Sequence, residues 1–300
     1  MVNLNIDLPE SFFLEEERDG YIVSAEMKRL WAVQLDLLNE FDRVCKKYNL
    51  KYILDFGTLL GAIRHKGYIP WDDDVDVSML RKDYDKLMEV GPKEFKKPYF
   101  LQSQITEKYY DDYVTKLRRS DTCYMTESSK SSSNNYNQGI FIDIFVFDNV
   151  PSVNKDDLQR ISKDSTEAYY HMYVLTHPPK LDCGIKWPVK MIRYLLFTLF
   201  YGSVRKEYLR LERYAKGFQP SGNVGTVMYA FPHCRPISVY DEIIEVPFEH
   251  LMMPVPRDYD EVLRLRYGDY MTPVRGGSWH TMATFDTNRS YRDVIKEIKL

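Results

Sequence analysis

Gly57-Thr58-Leu59-Leu60-Gly61-Ala62-Ile63-Arg64-His65-Lys66-Gly67-Tyr68-Ile69-Pro70-Trp71-Asp72-Asp73-Asp74-Val75-Asp76-Val77 decides the fold of this 300-residue chain. Four carboxylates (Asp72, Asp73, Asp74 and Asp76) crowd into five positions and alternate at their end with Val75 and Val77, just after the apolar run Tyr52-Ile53-Leu54. A strand sends successive side chains to opposite faces, so the pattern predicts Asp72, Asp74 and Asp76 on one face and the two valines on the other. Two ionised carboxylates about 5 Å apart repel by roughly 3 kcal/mol at an effective dielectric of about 20. A half-buried strand tolerates that repulsion when a cation relieves it, and an oxygen-rich cluster suits Mg²⁺ or Mn²⁺ acting on phosphate. The alternative is a solvated acidic turn after Pro70.

Upstream, Tyr52-Ile-Leu-Asp-Phe56 reads as a short strand. A glycine directly after a strand lets backbone N–H groups approach a phosphate, and Thr58 adds a hydroxyl. Leu59, Leu60, Ala62 and Ile63 then begin a helix whose N-terminus favours anions. The order of strand, Gly-Thr, helix, loop and Asp-x-Asp strand resembles the core of the nucleotidyltransferase fold, in which Gly-Ser or Gly-Thr holds phosphate and the Asp pair holds metal. Such sites usually carry a third carboxylate. Asp143 interrupts the β-branched and aromatic run Gly139-Ile-Phe-Ile-Asp-Ile-Phe-Val-Phe-Asp148, and a charge inside an apolar strand is costly unless it is paired or bound to metal. A structural aspartate bonded to a neighbouring loop is the other reading. Asp148, before Asn149 and Pro151, reads as a turn residue.

The run Asp55–Val77, with Ile142-Asp143-Ile-Phe145 downstream, closely resembles the LicD family, which includes bacterial phosphocholine transferases and, more distantly, the fukutin-type ribitol-phosphate transferases. Val255-Pro-Arg-Asp-Tyr-Asp-Glu-Val-Leu263 through Tyr267-Gly-Asp-Tyr-Met271 is similar to the closing motif of that family, so the likeness runs over about residues 30 to 275. The resemblance implies a CDP-alcohol donor such as CDP-choline, a glycan or lipid-linked oligosaccharide acceptor and release of CMP. It also implies that Asp74 and Asp76, completed by Asp143, bind Mg²⁺ or Mn²⁺, with Asp143 otherwise taking the acceptor proton. Asp72 and Asp73 are divided between a supporting place around the metal and a loop cap.

Other residues follow as candidates. Gly57 and Thr58 would hold phosphate, and Arg64, His65 and Lys66 would balance its charge. Lys116 and Arg118 alternate along a predicted strand and would face the nucleotide phosphates, or else form a surface pair. Gln102 is a candidate base or ribose contact. Tyr109, Tyr110 and Tyr113 offer cation–π faces for a choline-like head group, although tyrosines at that spacing also serve packing. His280, after Gly276-Gly-Ser-Trp279, lies in a motif without an assignment.

Composition sets bounds. A charged fraction of 28% and a hydrophobic fraction of 44% suit a globular protein, and a net charge of −3 gives no general nucleic-acid binder. Cys45, Cys123, Cys183 and Cys234 form no C-x-x-C pair. Met1-Val-Asn-Leu-Asn-Ile-Asp-Leu-Pro lacks a basic start and an apolar core, so the expected location is cytoplasmic.

The expected fold class is α/β (α+β): a nucleotidyltransferase-type mixed sheet flanked by helices, with a helical C-terminal portion. The expected division is a lead-in over 1–24 containing a small hairpin, a catalytic core over 25–150, and a mainly helical portion over 151–300 that completes the cleft. Leu30, Val33, Leu37, Phe41 and Val44 recur at helical spacing between Ala25 and Tyr48. Helices are expected over 83–90 and 156–173, and strands near 52–56, 74–79, 100–103, 113–118 and 140–147. Residues 180–216 are basic (Lys180, Lys186, Lys190, Arg193, Arg205, Lys206, Arg210, Arg213, Lys216) around Tyr194-Leu-Leu-Phe-Thr-Leu-Phe-Tyr201, which is too short to span a bilayer. A buried helical hairpin with solvated charges is the expectation; peripheral contact with an anionic membrane is the other reading. Two rival functions stay open: a nucleotidyltransferase using an NTP, and a non-catalytic glycan- or lipid-binding protein.

Overall fold

The computed structural model describes residues 1–126, 136–151, 154–179, 186–228, 233–274 and 283–298. His280 and Lys180 lie outside them. Helix α1 (Ala25–Tyr48) forms as its periodicity dictates: the Ser24 hydroxyl accepts from Met27 N–H at its start, and Asn49 ends it in the left-handed conformation. Leu30, Trp31, Val33, Leu37, Phe41 and Val44 are fully buried along one side. Before it, β1 (Glu16–Arg18) and β2 (Tyr21–Val23) make the small hairpin of the lead-in.

The main sheet is built from β3 (Ile53–Leu54), β4 (Asp76–Leu80), β5 (Tyr99–Gln102), β6 (Thr115–Arg119), β8 (Ile140–Asn149), β9 (Asn223–Gly225) and β10 (Cys234–Pro236). Strand β8 is its axis. Along one edge it runs parallel to β4, with Asp76 opposite Asp143. Along the other it pairs antiparallel with β6 through its first half and with β9 at Asp148 and Asn149. The sheet is therefore mixed, and the fold is α+β. Helices α2 (Phe56–His65) and α3 (Arg81–Glu94) flank β4 in sequence. Alternation divides β8: Ile142, Ile144 and Val146 join α1 in the large core, while Phe141, Asp143, Phe145 and Phe147 alternate onto the opposite face, Phe141 also reaching that core.

Asp148 is no turn residue. It stays within β8, and Arg81 grips both its oxygens at 2.6 and 2.7 Å, locking α3 to the sheet. Asp72, Asp73 and Asp74 do not extend β4, which begins only at Asp76. Side chains of α1 capture the backbone carbonyls there: Trp31 Nε1–H donates to the Asp72 carbonyl (2.9 Å) and Gln34 to that of Asp73 (2.7 Å). A backbone so held forms a loop rather than a ladder.

After residue 151 come α4 (Lys155–Thr176), α5 (Trp187–Tyr201), α6 (Val204–Lys216), α7 (Tyr259–Tyr267) and α8 (Tyr291–Ile298). The same region supplies β9 and β10 to the main sheet and a hairpin of β11 (Ile243–Phe248) with β12 (Leu251–Pro256). Strand β13 (Thr284–Asp286) pairs with β7 (Cys123–Met125). The buried hairpin expected over 180–216 is half right: α6 buries Tyr208, Leu211 and Ala215, but α5 has no buried residue. Among the described residues no helix is long and apolar enough to cross a membrane.

Candidate active site

Parallel pairing places two carboxylates side by side, Asp76 on β4 and Asp143 on β8. Asp76 is 9% exposed. Burial, and then the charges of Asp74, Asp143, Asp72 and Asp55, push its pKa well above the carboxylate range. Asp72 is raised likewise, by burial and by Asp74 and Asp73. The acidic loop is thus folded back onto the strand carboxylates, and it is not a solvated turn. Asp73 is anchored by the Tyr124 hydroxyl, which donates to it at 2.8 Å.

Strand β3 stops at Leu54 because Asp55 caps α2, its carboxylate accepting from Phe56 N–H at 2.8 Å. Gly57 and Thr58 consequently lie inside the first helical turn, not ahead of it. Phe56 holds φ +49°, a left-handed conformation that costs a non-glycine residue about 1–2 kcal/mol. A Cβ on Gly57 would stand 2.8 Å from an Asp72 oxygen, so glycine is what lets the acidic loop meet the helix N-terminus. Thr58 Oγ1 accepts from Asp76 N–H at 2.8 Å and ties this turn to β4.

Lys116 on β6 faces Asp143 across the ladder, and its ammonium is bonded to an Asp143 oxygen while lying 4.1 Å from the Phe141 ring centroid. Arg118 donates to the Gly139 carbonyl (2.6 Å) and to Gln102. Gln102 is fully buried, its amide also spent on Glu107 and the Asn137 carbonyl. Arg118 and Gln102 therefore brace β5 against β6. Arg64, His65 and Lys66 close α2 at its far end; seven residues of helix put Arg64 about 10 Å along the axis from Gly57. There Arg64 donates to the Tyr270 carbonyl (2.6 Å) and His65 meets Asp19 (2.9 Å). Burial lowers the pKa of both, and Arg64 lowers His65 further. These three are not placed to neutralise a phosphate at the carboxylates, because the unbroken helix carries them away.

Two cavities open on the β8 face that carries Asp143. The first, about 290 Å³, is lined by Tyr110, Tyr124, Tyr136, Phe141, Tyr169 and Tyr173, with Lys116, Asp111 and Asp112 among its polar residues. Burial and the charge of Asp112 raise the pKa of Asp111. Of the three tyrosines read from sequence, Tyr110 lines this cavity. Tyr113 is buried against Tyr169, and Tyr109 is half-exposed beside Lys108. The second cavity, about 420 Å³, is lined by Asp55, Phe56, Phe147, His233, Arg235, Arg266 and Tyr267 among others. Arg235 pairs with Asp55 and lies 4.1 Å from the Phe147 ring; its Nε is buried with no hydrogen-bond partner among the described residues. Burial alone would raise the Asp55 pKa, but Arg235 outweighs it and holds the carboxyl below its usual range. Arg266 covers the Phe56 ring at 4.5 Å and bonds His233 Nδ1 at 2.6 Å. Burial, helped by Arg266, lowers the His233 pKa to about 4, so its nitrogen is a neutral acceptor.

The lining of this second cavity was not found from the sequence. Asp55 and Phe56 flank the Gly-Thr turn, but the rest comes from residues 147 and 233–267, where the sequence singles out only the Val255–Leu263 and Tyr267–Met271 segments, without a role for their residues. Among the described residues no group of three or more His, Cys, Asp or Glu is arranged to hold a metal ion. Mg²⁺ commonly takes one or two carboxylates and completes its shell with waters and substrate phosphates. Asp76 and Asp74, with their mutual repulsion, fit that mode of binding.

Residues 49–180 match the family model described as LicD/FKTN/FKRP, nucleotidyltransferase domain. The chain is 27% identical to the lipopolysaccharide cholinephosphotransferase LicD of Haemophilus influenzae over 266 residues, covering 80% of this chain and 89% of that protein. Shorter stretches resemble uncharacterized proteins of Rickettsia prowazekii (40% over 79 residues, 26% of this chain and 29% of that one) and Rickettsia typhi (38% over 69 residues, 23% and 22%).

Proposed function

We propose, from the match of residues 49–180 to the LicD/FKTN/FKRP nucleotidyltransferase domain and the 27% identity to a LicD cholinephosphotransferase, that this chain is a LicD-family transferase of phospho-alcohol groups. The group is phosphocholine, delivered from CDP-choline to a hydroxyl of a glycan or a lipid-linked cell-surface polymer. The observation that carries this reading is the pair of unlike cavities on one sheet face, with Asp143 between them.

Phe141, Asp143 and Phe147 alternate onto that face, with about 7 Å from Phe141 to Asp143 and about 13 Å from Asp143 to Phe147 at strand rise. The Phe147 cavity suits a nucleoside: flat aromatic walls for stacking, and the unpartnered Arg235 Nε–H as a donor to a base acceptor. The Phe141 cavity suits a quaternary ammonium, with aromatic walls and the Asp111–Asp112 pair to balance its charge. A donor laid across the face places its diphosphate at Asp76 and Asp143.

Asp74 and Asp76 would hold a divalent cation, which supplies charge neutralisation of the diphosphate and polarises the phosphorus under attack. The α2 N-terminus at Gly57 and Thr58 binds the phosphates through backbone N–H groups. Lys116 turns from Asp143 to a phosphate oxygen, and the freed Asp143 carboxylate accepts the acceptor hydroxyl proton. The new bond joins that hydroxyl oxygen to the choline-bearing phosphorus; the bond to the bridging oxygen breaks, and CMP leaves with the electron pair.

Calorimetry with Mg²⁺ tests this by comparing CDP-choline, CDP-ribitol, CDP-glycerol and CTP. Binding of CDP-choline at least tenfold tighter than the rest is expected. Preference for another CDP-alcohol overturns the head group alone. Preference for CTP makes the protein a nucleotidyltransferase, and no binding removes the enzymatic reading.

A further inference from the structure

Helix α5 is amphipathic in an uncommon sense. Its inward side, Trp187, Met191, Tyr194, Phe197, Thr198 and Tyr201, leans on α4: Tyr194 Oη donates to the Leu175 carbonyl at 3.3 Å, and Phe197 and Tyr201 pack on His171. Its outward side is apolar as well. Val189, Ile192, Leu195, Leu196, Leu199 and Phe200 are all exposed, Leu199 to 82% and Phe200 to 78%. At 100° per residue these six fall in one continuous arc of roughly 140°. Exposed Lys186, Lys190 and Arg193 fall together along one margin of that arc.

Water is a poor partner for such a face. We propose that α5 lies in the surface of an anionic phospholipid bilayer, its outward arc among the acyl chains and its basic margin at the head groups. Charge complementarity selects this occupant. Arg205, Lys206, Arg210 and Arg213 on α6 are exposed, whereas the acids of that helix are turned inward and paired, Glu207 with His171 and Arg210, Glu212 with Arg81 and Lys216. The exposed face of α6, the helix that follows α5, therefore presents a surplus of positive charge. No described helix is long and apolar enough to cross a bilayer, which fits lying on it rather than through it. Tyr169 and Tyr173 of α4, which line the Phe141 cavity, come from the helix that supports α5, so docking brings that cavity to the membrane.

The test is co-sedimentation of the full chain with phosphatidylglycerol–phosphatidylcholine vesicles and with pure phosphatidylcholine vesicles, alongside its oligomeric state by sedimentation equilibrium. The wild type is expected to pellet with the anionic vesicles and much less with the neutral ones. Leu199→Glu with Phe200→Glu, both changed at exposed positions and checked by circular dichroism, should abolish pelleting. Arg193→Gln should weaken it about fivefold, an effect that high salt removes. Equal pelleting of the double variant and wild type overturns the proposal. So does a wild-type dimer that the double variant dissociates without any vesicle binding, which would make the face an interface between copies. The readout needs no substrate, so it stands or falls apart from the transferase reading.

Discussion

Asp76 shows how a single residue reports on function through stability. Its carboxylate is buried among four others, and burial and those charges hold its pKa well above normal, so at neutral pH its ionised form opposes folding. Asp76→Asn removes that opposition while keeping the shape. The variant should lose turnover yet melt higher than the wild type without metal, by about 2–4 °C for each kcal/mol regained. Mg²⁺ should raise the wild-type melting temperature and leave that of Asp76→Asn almost unchanged. Calorimetric scans with and without EDTA check both signs; a variant that melts lower in EDTA would show that Asp76 holds a structural contact rather than an unmet charge. The neighbouring Gly57 is explained by the same crowding, since only a residue without a Cβ leaves the Asp72 oxygen room at the start of α2.

Among the elements, the β9–β10 pair carries a pH signature. His233 leads into β10, its N–H donating to Thr226 Oγ1 at 2.9 Å, and burial with Arg266 beside it lowers its pKa to about 4. Between that value and the ordinary 6.5 the unfolded chain binds the proton and the folded chain does not, so stability falls as pH drops through this window and levels off below it. His233→Gln should flatten the slope, by on the order of 1–2 kcal/mol after allowance for partial solvent screening, in urea titrations from pH 7 to pH 4. An unchanged slope would mean that His233 is not held neutral. None of this could be read locally. Helix α1 and strand β8 announce themselves through long apolar periodicity, and the observed limits of α1 are those of its pattern. Strands β9 and β10 are three residues each and hold their place by pairing with β8 and with one another, which leaves no periodic mark. The acidic loop reads as strand in the sequence because alternation of Asp and Val carries no mark of Trp31 and Gln34, whose donors take its carbonyls from more than 30 positions away.

For the whole molecule, the legible part of the candidate site is its centre and the illegible part its flanks. Asp76, Asp143, Gly57 and Thr58 belong to two short stretches that the fold must bring together, whereas the cavity linings collect residues from Asp55 to Tyr267 and from Tyr110 to His177. That separation would give the two ends of the proposed donor independent handles, which a binding cycle can resolve. Arg266 covers Phe56 in the Phe147 cavity and touches nothing in the other, so Arg266→Ala should weaken CMP and CDP-choline alike, by roughly tenfold each. Asp111→Asn acts in the Phe141 cavity and spares Asp112, which pairs with Lys116 at 3.7 Å; a trimethylammonium there loses part of its counter-charge, so CDP-choline should weaken several-fold, on the order of fivefold, and CMP should not. Combining the two substitutions should give additive losses for CDP-choline, because the cavities share no lining residue. If instead Asp111→Asn weakened CMP and spared the choline-dependent increment, the donor would lie the other way round on the β8 face. The base would then occupy the tyrosine-lined cavity, and the attacking hydroxyl would have to approach from the side of Arg235.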